Sequence, residues 1–403
     1  MYFKRIVSLM LLLILAITET AFATESEPMK LWEVDVNRTF WREHPEIEHE
    51  DIFYDPWADL LLGVEETSPD VILVRLYNDE IQPLKNAKMM ADLSGSATIS
   101  EAVTRMPEWI QQLARSDEGQ IVLLPVTTLI RPFYWYQDAW DVAGLTEADI
   151  PQSYSELLEF LDKWVDRIEK NPEKNVCVSR LVRWNTGTEK YNYMYWLMDL
   201  LLTSHEMQQR YAGDKVSFYT PEFIELAEHT CTTGLALYKA EPRQKKRSEM
   251  LQLFQNDIHG GEHANNGREY GLSHSVPLRI TNDQPKLTLA SVEVAFIREG
   301  SSYFNEGILV LESLMNKEWF YQYALYSNFI PGDHPYKNSN RTGHVDAGWL
   351  NDYHNYDGHF VTYPSAFERT RDGSIVKEGL MMEFFSGKIT SEEFAQKLDE
   401  AIR

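Results

Sequence analysis

The chain has 403 residues, too many for one comfortable hydrophobic core, so two bodies are expected. Apolar residues make up 43%, and 62 Asp and Glu against 38 Lys and Arg leave a net charge of −24. This is the composition of an ordinary folded protein, and its acidity argues against nucleic acid or an anionic lipid surface as partner.

The N-terminus reads as an address rather than as structure. Lys4 and Arg5 precede an apolar run from Ile6 to Ile17, and Ala21-Phe22-Ala23 supplies small residues at a cleavage point. Residues 1–23 therefore read as a secretory signal peptide, with a core too short to remain as a membrane span. No cysteine stands at the cleavage point, so the expected product is secreted or periplasmic, without a lipoprotein anchor.

Two short apolar runs follow, Val71-Ile72-Leu73-Val74 and Ile121-Val122-Leu123-Leu124. Both read as strands buried on two faces, with a helix over Met106 to Leu113 between them. Residues 131–145 read RPFYWYQDAWDVAGL, with Phe133, Tyr134, Trp135 and Tyr136 in an unbroken row. Such a row could fill a core, form a platform for a ring-shaped ligand, or make an interface. A helix starts after Pro151, where Ser153 and Glu156 have capping-box spacing. Tyr154, Leu157, Leu158, Leu161, Val165 and Ile168 share one of its faces, and Asn171-Pro172 ends it.

Cys177 and Cys231 are the only cysteines. In an exported chain they could form a disulfide, closing a loop of roughly 55 residues and stabilising by roughly 4 kcal/mol. The alternative is two buried thiols acting as small hydrophobes. Thr220-Pro221 opens another helix, with Pro in the first turn. The basic run Arg243 to Arg247 reads as a solvated loop.

His259-Gly260-Gly261-Glu262-His263 has the spacing of an inverted zinc-peptidase motif. Two adjacent glycines disfavour the helix that would put both imidazoles on one face, so a polar loop is the better reading. His344, Asp346, His354, Asp357 and His359 crowd a Gly- and Asn-rich stretch, and their spacing matches no recognised metal site. No metal or cofactor is expected. The last helix begins at Thr390, capped with Glu393, and should bury Phe394, Leu398 and Ile402. Strands alternating with helices argue for α/β architecture.

No nucleophile elbow, P-loop or dinucleotide fingerprint is present. The 11 Trp and 21 Tyr are more than a core requires, and several stand beside polar residues: Trp32, Tyr77-Asn78-Asp79, Trp135, Trp184-Asn185 and Trp349-Leu350-Asn351. Sugars are held by aromatic plates and planar polar groups, so the set favours a binder, although packing is the commoner role for any one aromatic.

Several segments, in order, resemble one family. They are FWREHPEIEHEDIFYD, SPDVILV, LKNAKMMADLS, EGQIVLLPV, FYWYQDAWDVAGL, IPQSYSELLEFL, KVSFYTPEF and FFSGKITSEEFAQKLDEAI. Together they resemble the extracellular solute-binding proteins of ABC importers, the sugar-binding family 1 type. The resemblance implies an α/β fold of two periplasmic-binding-protein-like lobes, with a hinge and an interlobe cleft. Lobe 1 would comprise residues 24–130 and about 275–320, and lobe 2 residues 131–274 and about 321–403. Carried over by position, the ligand would meet Trp32, Arg75, Tyr77, Asn78, Asp79 and Trp184. The aromatic row would be the first crossing strand, with Trp135 looking into the cleft. Gln137 and Asp138 depart from the family's Asn-Lys at the crossing, and its Gly-Lys-x-Ala-Met segment has no counterpart near Phe254. The implied protein is a monomer and not an enzyme. It would pass a mono- or oligosaccharide to ABC permease subunits. The competing expectation is a secreted hydrolase acting on glycans or peptides.

Overall fold

The computed structural model describes residues 27–32, 34, 38–53, 60–76, 78–106, 108–130, 133–170, 176–178, 189–240, 251–256, 272–275, 279–315, 329–331, 359–361, 365–367 and 372–402. Residues 1–26, with the expected signal peptide, lie outside this set. So do Tyr77, Trp184, the His259–His263 motif and the polar stretch 332–358.

Strands β1 (Met29–Trp32), β2 (His49–Ile52) and β3 (Val71–Leu76) run parallel, with helices α1 (Arg38–Glu43) and α2 (Leu60–Thr67) between them. Helices α3 (Asn78–Asn86), α4 (Ala97–Thr104) and α5 (Glu108–Ala114) lead to β4 (Leu124–Ile130). Far later in sequence, β10 (Leu287–Ile297) inserts antiparallel between β3 and β4. With β11 (Phe329–Pro331) and β12 (His359–Val361) this makes a seven-stranded sheet, ordered β11-β4-β10-β3-β1-β2, with β12 on β10.

Alternation along the strands sends side chains into two cores. Leu31, Val71, Ala295 and Ile297 pack on one face with α4, α5 and a later helix, α10 (Phe304–Leu314). Trp32, Ile72, Val74, Val294 and Phe296 pack on the other, with α2 and α3. Burial on both faces is why these strands read as unbroken apolar runs. Asp70, buried just before β3, accepts from the Lys30 backbone N–H at 2.9 Å and from Ser301 Oγ at 2.6 Å, joining three segments remote in sequence.

The second core gathers α6 (Gln137–Ala143), α7 (Tyr154–Lys170), α8 (Asn192–Ala212), α9 (Pro221–Ala240), α11 (Gly373–Phe385) and α12 (Ser391–Ala401). Two small sheets complete it. One is β8-β5-β9, formed by Phe254–Asn256, Phe133–Tyr136 and Leu272–Ser275. The other pairs β6 (Val176–Cys177) with β7 (Leu251–Gln252). The Tyr154 hydroxyl donates to Leu197 O at 2.9 Å and lies 2.7 Å from Thr230 Oγ1, tying α7, α8 and α9 together. Burial holds its phenol protonated.

Four expectations need adjustment. The strand expected at Ile121–Leu124 starts only at Leu124. The N–H groups of residues 121–123 donate to Ser94 Oγ and Ala114 O, and Ile121 makes an isolated antiparallel bridge with Arg115, so the run is a buried segment outside the ladder. At α7 the Ser153 hydroxyl caps the Glu156 N–H at 3.3 Å, but the Glu156 carboxylate takes the N–H of Gln152 rather than that of Ser153. Cys177 and Cys231 are thiols, with no disulfide between them, since Cys177 packs within a strand pair and Cys231 on the flank of α9. The lobe boundary placed near residue 275 falls too early. The Arg279 and Ile280 carbonyls accept from the first N–H groups of α7, and Ile280 is buried in the second core. Likewise β11 and β12, expected in lobe 2, pair with strands of the first sheet. The capping box at Thr390 and Glu393 has both of its hydrogen bonds.

Candidate functional site

Connectivity picks out one edge of the large sheet. β4 ends at Ile130 and the chain enters the second body at Phe133, while β10 returns from it at Leu287. Because β10 is antiparallel to both β3 and β4, those two strands point the same way, and β3 ends at the same edge, at Leu76. In open α/β sheets ligands bind beyond the carboxyl ends of such strands. Arg75 in β3 and Asn78 and Asp79 in the first turn of α3 are brought to this edge by the backbone.

Trp32 is placed otherwise. It ends β1, but its side chain is only 2% exposed and fills the first body's core. Its ring lies so close to α2 that a Cβ on Gly63 would stand 2.7 Å from it. A ring used this way cannot stack on a ligand without repacking, so Trp32 leaves the candidate set. Trp135 is paired in register with Phe254, whose ring is buried against Trp140 and Phe160. The β9 side of the same strand has a register irregularity between Tyr134 and Trp135.

One polar row was missed. Arg75, Glu293 and Thr127 are successive cross-strand partners over β3, β10 and β4, with Pro331 of β11 next to Thr127. The signal was available in sequence as the single charge in LTLASVEVAFI, but its neighbours were not.

The returning strands are gripped by one turn of α8. Met207 packs with Leu287, Leu289 and Val361 of β10 and β12. Gln208 Nε2 donates to Pro285 O at 3.0 Å, and the Tyr211 ring lies 5.0 Å from that of His359. Glu206 accepts from the Ala366 N–H at 2.7 Å and from Arg210 at 2.8 and 2.9 Å. Burial raises the Glu206 pKa, against the opposing pull of Arg210. Neighbouring His205 donates to Ser217 O at 2.9 Å, and burial lowers its pKa.

A cavity of about 760 Å³ lies at the far end of the sheet, lined by Lys85, Asp92, Asp117 and Glu299 among others. Lys85 is engaged there, donating to the carbonyls of Leu113 and Arg115 at 2.7 and 2.6 Å and so closing the end of α5. Among the described residues no group of three or more His, Cys, Asp or Glu is placed to hold a metal ion.

No family model matches the sequence, and no curated protein is similar enough to align with it. Solved structures are similar in fold. A sugar transporter from Bacillus licheniformis in complex with stachyose is 14% identical, over 93% of this chain and 98% of that one, with a TM-score of 0.60. Maltose-bound MalE3 from T. maritima is 15% identical, with coverage of 93% and 98% and a TM-score of 0.56. A family 1 extracellular solute-binding protein from Bifidobacterium longum subsp. infantis is 13% identical, with coverage of 93% and 98% and a TM-score of 0.54. The chain has the two-lobe α/β fold of the extracellular solute-binding proteins, along almost its whole length.

Proposed function

We propose that the chain is an extracellular carbohydrate-binding receptor that hands its ligand to the permease subunits of an ABC importer. The observation that carries this is the gathering of Arg75, Asn78 and Asp79 at the edge where two strands cross between the bodies. Sugar complexes among proteins of the same fold support it. A sugar gives up hydrogen bonds to water on binding, so planar polar groups must replace them. Tyr77, Trp135 and Trp184 belong to the proposed site by family position. Export follows from the signal peptide read at residues 1–23, and the receptor acts as a monomer.

Closure of two lobes brings contacts from both sides, and only the closed state makes them all, so ligand shifts the hinge equilibrium. Thermal-shift screening against neutral mono- and oligosaccharides tests the proposal. A sugar at a hundred times its dissociation constant should stabilise by about 2.7 kcal/mol. Asp79→Ala should then cost roughly 1.5–3 kcal/mol of affinity, as for a charged hydrogen bond. Absence of any shift across the panel would overturn the carbohydrate reading.

A further inference from the structure

We infer that Glu293 is a ligand-binding residue on the floor of the cleft, where its carboxylate accepts hydrogen bonds from the hydroxyls of a neutral sugar; this rests on the carbohydrate reading above. Glu293 sits near the middle of β10, which has a strand on each edge at that point, with Arg75 of β3 and Thr127 of β4 as its register partners. Its chain neighbours Val292 and Val294 are fully buried, and they face the opposite core. Glu293 nonetheless keeps part of its surface exposed. With both strand edges occupied, that exposure can only come through the face of the sheet.

The face is settled by alternation. Glu293 shares it with Ala295 and Ile297, which are covered. Helix α10 lies so close to Ile297 that a Cβ on Gly307 would stand 2.9 Å from its Cδ1. The row formed by Leu73, Ala295 and Leu124 is wholly apolar, whereas the next row of β3 and β10 on that face, Arg75 and Glu293, is charged, with Thr127 beside Glu293 after a register shift in the β4 pairing. The cover therefore ends between these rows, on the side where the crossing strands leave. A carboxylate in mid-sheet is costly unless it has water or a partner, and the open face leaves Glu293 within reach of a ligand as well. An acceptor-only carboxylate, with Arg and Thr at the flanking register positions, suits a ligand rich in hydroxyl donors.

The test begins with an array of neutral mono- and oligosaccharides, including raffinose, stachyose and maltose, probed with the wild-type protein. The strongest binder is then measured calorimetrically against Glu293→Gln and Glu293→Asp, alongside its monodeoxy analogues. Glu293→Gln should weaken binding on the order of ten- to a hundredfold, the size of a charged hydrogen bond. One deoxy analogue should bind wild type and Glu293→Gln alike, which a merely structural role would not produce. Glu293→Asp keeps the charge but withdraws it by a methylene, and should lose affinity for the same hydroxyl even if the amide variant fails to fold. Wild-type affinity in both variants, or a loss shared by every analogue, would overturn this proposal alone. A wild-type protein that binds none of the sugars would overturn it together with the receptor reading.

Discussion

Glu206 offers the sharpest test of how the hinge is held. Its side chain is 5% exposed, and its carboxylate takes the Ala366 N–H and a guanidinium from Arg210, itself 19% exposed. Glu206→Ala removes the carboxylate from both donors. Losing one member of a buried pair costs about 3–5 kcal/mol, and because Arg210 retains some contact with water the lower end applies. Glu206→Gln keeps an oxygen for the Ala366 N–H and removes a charge that burial penalises, so about 1–2 kcal/mol is expected. The pH dependence gives an independent sign. A carboxyl whose native pKa lies above its unfolded value contributes stability that is fully present below about 4.5 and is lost as pH rises through the native value. Acidifying from neutral pH should therefore favour the wild type and widen its advantage over Glu206→Gln, which lacks this titration. Urea unfolding followed by tryptophan fluorescence at several pH values measures both effects. Equal losses in the Ala and Gln variants, or a gap independent of pH, would refute the argument.

Three further outcomes are expected. The unreduced protein should show two titratable thiols when denatured, and Cys231, whose pKa burial pushes up to about 12, should react with thiol reagents only slowly in the native state at pH 8. Gly234→Ala should lower stability by roughly 1 kcal/mol in thermal or urea melts, because a Cβ there meets Met194 N and Cγ at 2.9 Å and overpacking outweighs the gain in helix propensity. Gly379→Ala in α11, with nothing within 4 Å of the added carbon, should instead stabilise by about 0.5–1 kcal/mol.

Local signals carried most of the elements. Thr390 and Glu393 specify the start of α12 within four residues, and the apolar face of α7 is visible from its spacing alone. Where a decision depended on a distant partner, sequence could not make it. Ile121 to Leu123 looked like a strand because a short apolar run does not distinguish a ladder from a buried segment beside it, and the choice rests with Ser94 and Ala114. Trp32 beside polar residues suggested a ligand plate, yet Gly63 supplies the space that makes it core. The strand at Phe133–Tyr136 was legible, but its partners, Phe254–Asn256 and Leu272–Ser275, were not. For the proposed site, Arg75, Asn78 and Asp79 were expected by family position, and the backbone brings them to one sheet edge. Glu293 was not expected, because its neighbours come from strands that the chain brings together only after a long excursion.

That excursion also sets a timetable for biosynthesis. β3 and β4 are made early, but the strand that lies between them, β10, follows only after the chain has built most of the second body. At ordinary rates of translation, the interval between Ile130 and Ile297 is on the order of ten seconds or more. Throughout that time the inner edges of β3 and β4 have no native partner, and unpaired edges invite association with other chains. A nascent chain stopped before Leu287 cannot complete its first sheet, however well its second body is formed. Such a chain depends on chaperones, or on the speed of its ribosome, in a way that the finished protein does not.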